Sequence, residues 1–205
     1  MNNKFFELPN ERQNTIINGA LSVFSKNGYK KSSTDDIAKA SGISKSLIFH
    51  YFGTKKELYL FLYDYVKDFS VKIMSQFHNY SETDFFKILA DAQMNKMQIL
   101  AVHPHMMMFL LTAYFEESPD VKPKVDQSFA KIISQSSDKF MERADISKFK
   151  DGIDAQKILN IIVWMSDGFM RSRSSEELKD LNALNEEYLS YLELLRQQTY
   201  KPEYL

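Results

Sequence analysis

Between Gly28 and Leu58 the chain gathers side chains suited to a polyanion: Thr34, Ser44, Lys45, Ser46, His50, Tyr51 and Lys55. Hydroxyls, ammonium groups, an imidazole and a phenol can donate to phosphate oxygens, and several of them also match base edges in a DNA major groove. Spacing matters as much as type. Ser44, Lys45, Ser46, His50 and Tyr51 are expected on the exposed face of a short helix, with Leu47, Ile48 and Phe52 on a packed face opposite. Helix N-termini attract phosphate through their free N–H groups. Ser33–Thr34, Ser44–Lys45 and Thr54–Lys55 each open a helix, which sets three such starts close together along the chain.

The elements that hold these groups follow from helix signals. Ile16, Ile17, Ala20, Leu21 and Phe24 recur at helical spacing, so a first helix is expected over Asn10–Asn27, ended by Gly28. Ser33 caps a second helix, with Asp36, in place of the usual Glu, completing a capping-box-like arrangement. Ser41–Gly42 makes a tight turn, and Ser44 caps a third helix that runs to Tyr51. Gly53 breaks it, and Thr54 with Glu57 forms the capping box of a long helix to Phe77. Two short helices joined by a glycine-containing turn have the form of a helix-turn-helix, whose second helix lies in the major groove.

The same stretch, GYKKSSTDDIAKASGISKSLIFHYFGTKKEL, resembles the DNA-binding region of the TetR family of bacterial transcriptional repressors. The match lies at Gly28, Tyr29, Ser33, Thr34, Ile37, Ala38, Ala40, Gly42, Ile43, Ser44, Lys45, Phe52, Lys55 and Leu58, and is specific over Thr15–Tyr63. The resemblance implies that Thr34 contacts phosphate, that Lys45 and Ser46 reach base edges or nearby phosphates, that His50 and Tyr51 touch the backbone, and that Lys55 clamps a phosphate. Two positions depart from the family pattern. Ser46 stands where glycine is usual, and Phe49 stands where a tyrosine would donate to phosphate.

An all-α fold is therefore expected, with a helix-turn-helix domain over residues 1–54 and a larger effector-binding and dimerisation domain over 55–200, linked by the helix 55–77. Further helices are expected over Glu82–Val102, Pro104–Glu116, Val121–Ala144, Asp154–Arg173 and Ser175–Gln198, the last opened by a Ser174/Glu177 capping box, with a frayed tail from Lys201. The family's larger domain binds a small molecule and dimerises. Methionine and aromatic side chains adapt to apolar ligands, so Met94, Met97, Met106, Met107, Met108, Phe109, Tyr114, Phe115, Trp164 and Met165 are pocket candidates. The helices carrying Ile161, Ile162 and Phe169, and Leu184, Tyr188, Tyr191, Leu192 and Leu195, are too broadly apolar for one subunit to cover, and are expected to pair with their symmetry mates as a four-helix bundle.

Bulk properties narrow the alternatives. The 205 residues contain no cysteine, which excludes disulfides and thiolate metal sites. No apolar run approaches the ~18 residues of a membrane helix, and Met1–Glu7 lacks a secretory pattern, so a cytoplasmic protein is expected. Net charge is −1, but Met1–Leu60 holds nine Lys/Arg against five Asp/Glu, and the rest 17 against 22. The basic quarter fits an anionic partner. No glycine-rich phosphate loop or nucleophile motif points to an enzyme, and no cofactor is expected. His103-Pro104-His105 has the wrong spacing for two ligands on one helix face, so a cap with a solvated histidine is the expected reading. The expected partners are operator DNA, a small apolar or amphipathic effector and a second copy of the chain. The rival is a helical protein-interaction adaptor, which predicts no salt-sensitive DNA affinity.

Overall fold

The computed structural model describes residues 3–76, 81–102, 104–174 and 176–205. Among these residues the regular structure is helical, and the only sheet-like pairings are isolated bridges, Asp84 with Asp145 and Phe149 with Tyr200. In chain order the helices are α1 (Asn10–Lys31), α2 (Thr34–Ala40), α3 (Lys45–Phe52), α4 (Lys55–Gln76), α5 (Phe85–Val102), α6 (Pro104–Tyr114), α7 (Lys122–Arg143), α8 (Ala155–Arg171) and α9 (Leu181–Thr199). They form two compact units, Met1–Gln76 with Gln98–Lys131, and Phe77–Met97 with Ile132–Leu205. The first unit thus takes in α4 and α6 as well as the three N-terminal helices.

In the first unit α1 buries Ile16, Ile17, Ala20, Leu21 and Phe24, the stripe its spacing predicts. Gly28 (φ 69°) breaks the helical geometry at the expected end, and a further turn carries the chain to Lys31. Gly19 sets how closely α1 meets the α2 turn: a Cβ there would lie 2.5 Å from the Ala40 carbonyl oxygen, so only a residue without a side chain fits. Aromatic rings fill the centre. Phe24 meets Tyr59 at 5.0 Å between ring centroids, and Tyr59 meets Phe109 at 5.1 Å. Phe5, on a short 3₁₀ turn at Asn3–Phe5, is fully buried and lies 4.8 Å from Phe52. Burying one such ring contributes roughly 1.5–3 kcal/mol.

In the second unit Phe85 is surrounded by Phe86, Phe140 and Phe149, and Phe149 lies 5.0 Å from Tyr200. α5 starts on Asp84, whose Oδ1 accepts from the Lys87 N–H, while its Oδ2 accepts from Lys148 at 2.8 Å. Two expectations change here. The Ser174/Glu177 capping box forms, but opens only the 3₁₀ turn Glu177–Lys179; α9 starts afresh on Asp180, which accepts from the Ala183 N–H. The tail is not frayed: Tyr200 is fully buried, and backbone bonds Lys150 N–H to Thr199 and Lys201 N–H to Lys148 tie it down. That anchoring comes from residues about fifty positions away, beyond the reach of local patterns.

Candidate nucleic-acid interface

Each helix of the helix-turn-helix is started by its own side chain. The Ser33 hydroxyl accepts from the Asp36 N–H, the expected cap, and donates to the Asp36 carboxylate at 2.6 Å. At the turn, Gly42 adopts φ 62°, a left-handed conformation that suits glycine. Arg12, reaching from α1, donates to the Gly42 carbonyl at 2.8 Å, and the buried Ser41 hydroxyl donates to the Ile16 carbonyl. The turn is therefore held against α1 at both of these residues. Ser44 caps α3 by accepting from the Leu47 N–H, and its hydroxyl also lies 2.8 Å from that of Ser46.

α3 buries Ile48 and Phe52 completely, which orients the rest of the helix. Ser44, Lys45, Ser46 and His50 are exposed, as expected for a reading surface. Tyr51 is half-buried, edge-on to Phe5 and His50. Thr34 is half-buried at the first residue of α2. Leu47, expected on the packed face, is exposed instead, as is Phe49. The core side of so short a helix is filled by Ile48 and Phe52, and Leu47 lies beyond its edge. Phe49 and Leu47 flank the polar surface and are suited to contact thymine methyls.

Lys55 is more constrained than its sequence setting implies. Its ammonium donates to the carbonyls of Tyr29 and Ser32, both at 3.0 Å, and sits 4.5 Å from the Tyr29 ring centroid. Tyr29 is itself held by the segment after α6: its N–H donates to Glu116 at 2.7 Å, and its hydroxyl donates to Asp120 at 3.3 Å. Burial, then the Asp120 carboxylate, raises the Tyr29 phenol pKa. Tyr29, Lys30, Lys55 and residues 116–120 line a cleft of about 400 Å³. This network joins α1, α4 and the end of α6 within the first unit. Sequence reading missed Arg12, Asp35 and Glu116, because each acts on a residue ten or more positions away. Lys45 carries one such contact, an ion pair with Asp35 at 2.8 Å.

The pocket candidates are divided between the units. Met106, Met107, Met108, Tyr114 and Phe115 lie half-buried in the first, where Phe109 is fully buried core against Phe24 and Tyr59. Met94, Met97, Trp164 and Met165 belong to the second. There Trp164 is 70% exposed, so it stands on the surface of α8 and not among the residues that enclose a cavity. The dimer candidates also separate. Ile162 and Leu192 are buried in their own unit's core, where they belong to one cluster, and Leu184 is buried as well. Phe169, Tyr188 and Leu195 are half-buried, whereas Ile161 and Tyr191 are exposed, as is Leu194, which sequence reading passed over. Ile161, Trp164 and Gly168 share one face of α8.

His103 lies outside the described residues. Among those described, no group of three or more His, Cys, Asp or Glu could hold a metal ion, and no helix is long and apolar enough to cross a membrane.

Comparison with known proteins fits this geometry. Residues 16–61 match the model for bacterial regulatory proteins of the tetR family. A 44-residue stretch is 41% identical to the biofilm operon icaADBC HTH-type negative transcriptional regulator IcaR of Staphylococcus aureus, covering 22% of this chain and 24% of that relative. The fold extends further. A TetR family transcriptional regulator from Chloroflexus aurantiacus superposes with a TM-score of 0.65 over 98% of both chains at 20% identity. The fatty acid degradation regulator FadR from Bacillus halodurans gives 0.64 at 22% identity, over 87% of this chain and 96% of its own. FadR from Bacillus subtilis, solved with stearoyl-CoA, gives 0.65 at 20% identity, again over 87% and 96%. The sequence match is thus centred on the capped helix-turn-helix, where the chain resembles the tetR family of bacterial regulatory proteins, and the fold it shares along nearly its whole length is that of solved TetR family regulators.

Proposed function

We propose that the protein is a ligand-responsive, sequence-specific DNA-binding repressor that acts as a homodimer on a pseudo-palindromic operator. The observation that carries this reading is α3 itself: its apolar positions Ile48 and Phe52 are fully buried, and Ser44, Lys45, Ser46 and His50 are left facing solvent. Lys45, Ser46 and His50 supply base-edge and phosphate donors, and Ser44, Thr34, Tyr51 and Lys55 add backbone contacts around them. Lys55 keeps part of its donor capacity, since an ammonium has three N–H groups and two of them are committed to the Tyr29 and Ser32 carbonyls.

Dimerisation sets the spacing of two such helices, which must meet half-sites about 34 Å apart or a multiple of it. The exposed Ile161, Trp164, Tyr191 and Leu194 on α8 and α9 support a self-complementary apolar interface. The methionines and aromatics of α5 and α6, with the likeness to a regulator solved with stearoyl-CoA, support an apolar or amphipathic effector. An effector that moves α6 would act on the reading helices through Glu116, Tyr29 and Lys55, and only as far as its affinity differs between the two states.

The test is selection from a pool of random duplexes at two salt concentrations. A pseudo-palindromic site whose affinity falls steeply with salt is the expected result. Lys45→Ala should weaken binding to that site by roughly 1–3 kcal/mol and leave the dimer intact. Folded, dimeric protein that enriches no site, with and without candidate acyl ligands, would favour the adaptor reading.

A further inference from the structure

α5 places a lysine where its own pattern calls for an apolar residue. Phe85, Ile88, Ala92, Lys96 and Ile99 follow one another at spacings of three and four, so all five share one side of the helix. Phe85, Ile88 and Ile99 are buried and Ala92 is half-buried, which makes this the packed side. Leu89, half-buried as well, flanks Lys96 across from Ile88. The solvent side lies opposite and carries the exposed Lys87, Asp91, Met94 and Gln98. Lys96 keeps accessible surface although its ammonium lies deep among protein atoms, and that burial lowers its pKa. A lysine on the outside has water around its ammonium, and a packed one shows no accessible surface. The combination is that of a side chain lining an internal space. Nothing offsets the burial: among the described residues Lys96 has neither an ion-pair nor a hydrogen-bond partner. An ammonium taken out of water without a partner is costly, so this position does not serve the fold.

We propose that Lys96 is the anion-binding residue of the effector site, and that it receives the carboxylate or phosphate head of an amphipathic molecule whose apolar part lies along α5 beside Leu89 and Ala92. An anion there supplies the counter-charge that the enclosed ammonium lacks. A charge pair closed off from water is also held more strongly than one at the surface. A neutral apolar molecule leaves the amine unmatched, so the site selects by charge as well as by shape. The other lysine of α5 cannot substitute: Lys87 faces solvent and is engaged with Glu82 at 3.0 Å.

This inference rests on the reading of the chain as ligand-responsive. The test is calorimetric titration of the full-length wild-type protein, Lys96→Met and Lys96→Arg with two matched sets of probes. One set is decanoate, decyl phosphate and decanol; the other is naphthoate, naphthyl phosphate and naphthol. The wild type should bind at least one anion about ten-fold or more tightly than the alcohol of the same skeleton, and whether carboxylate or phosphate leads identifies the head group. Lys96→Met should lose that preference and keep its affinity for the alcohol, whereas Lys96→Arg should keep most of the preference. Denaturant unfolding of the free protein adds a readout that needs no ligand. Lys96→Met should raise the midpoint, because it removes an unpaired enclosed amine; a lysine that merely supports α5 would lower it. Equal wild-type affinity for anion and alcohol, a preference that survives Lys96→Met, or a lowered midpoint overturns the inference. If neither anions nor alcohols bind, it is the ligand-responsive reading itself that fails.

Discussion

The two units have cores of the same kind and surfaces of opposite kinds. Each is built on clustered aromatics: Phe5, Phe24, Phe52 and Tyr59 in the first, Phe85, Phe86, Phe149 and Tyr200 in the second. Yet the first presents Ser44, Lys45, Ser46 and His50 to solvent on α3, and the second presents Ile161 and Trp164 on α8 and Tyr191 and Leu194 on α9. Helical fold class therefore says little about partners. The residues left over after each core is filled say more: donors and one cation suit a polyanion, and an apolar face suits another protein surface, which in the proposed dimer is a second copy of the chain.

That contrast can be broken most decisively at Trp164. Trp164→Glu should convert the dimer to a monomer that keeps its helical content, read by sedimentation equilibrium and circular dichroism. A variant that stays dimeric would place the subunit interface elsewhere. Next in size, Phe52→Ala removes a fully buried ring and should cost about 3–5 kcal/mol in denaturant unfolding. Asn10–Phe52 would lose its packed base, and with it the orientation of α3. Ser33→Ala sharpens the picture at the first unit's surface. Losing this cap should lower stability by about 1 kcal/mol, measured by thermal denaturation, with the α2–α3 geometry otherwise kept.

The smallest expected effect is in the second unit. Burial tends to raise the Asp84 pKa, but the Lys148 ammonium at 2.8 Å and the Lys87 N–H outweigh it, and the carboxyl sits below its ordinary 3.8. A carboxylate with a depressed folded-state pKa stabilises the fold above its unfolded pKa, and that contribution disappears as pH falls through the folded value. Asp84→Asn should therefore lower stability at neutral pH and flatten its decline below about pH 4, in denaturant titrations run from pH 7 to pH 2. An unchanged acid limb would show that the Asp84–Lys148 pair does not hold α5 to the chain near Lys148.

Arg12 and Glu116 mark the boundary of what local pattern reveals. Ser33, Ser44 and Thr54 announce the starts of α2, α3 and α4 because a cap and the N–H groups it satisfies lie within three residues of one another. The buried stripe of α1 is equally plain, since helical period alone brings Ile16, Ala20 and Phe24 to one side. Nothing near Arg12 predicts its bond to Gly42, thirty residues on, and nothing near Glu116 predicts its hold on Tyr29. Leu47 shows the same limit on a smaller scale: its hydrophobicity assigns it to a core that Ile48 and Phe52 already fill.

By itself, then, the sequence determined the caps and helices of α2, α3 and α4, the turn at Gly42 and the residue types offered to a polyanion, because each depends on contacts within a turn or two of helix. Only the tertiary structure decided that Phe5 closes the first core, that Asp35 engages Lys45, that Trp164 faces outward while Ile162 and Leu192 turn inward, and that Tyr200 anchors the tail. Those outcomes depend on which distant segment arrives to cover a given face, and an apolar stripe is equally apolar whether its own subunit or another molecule covers it.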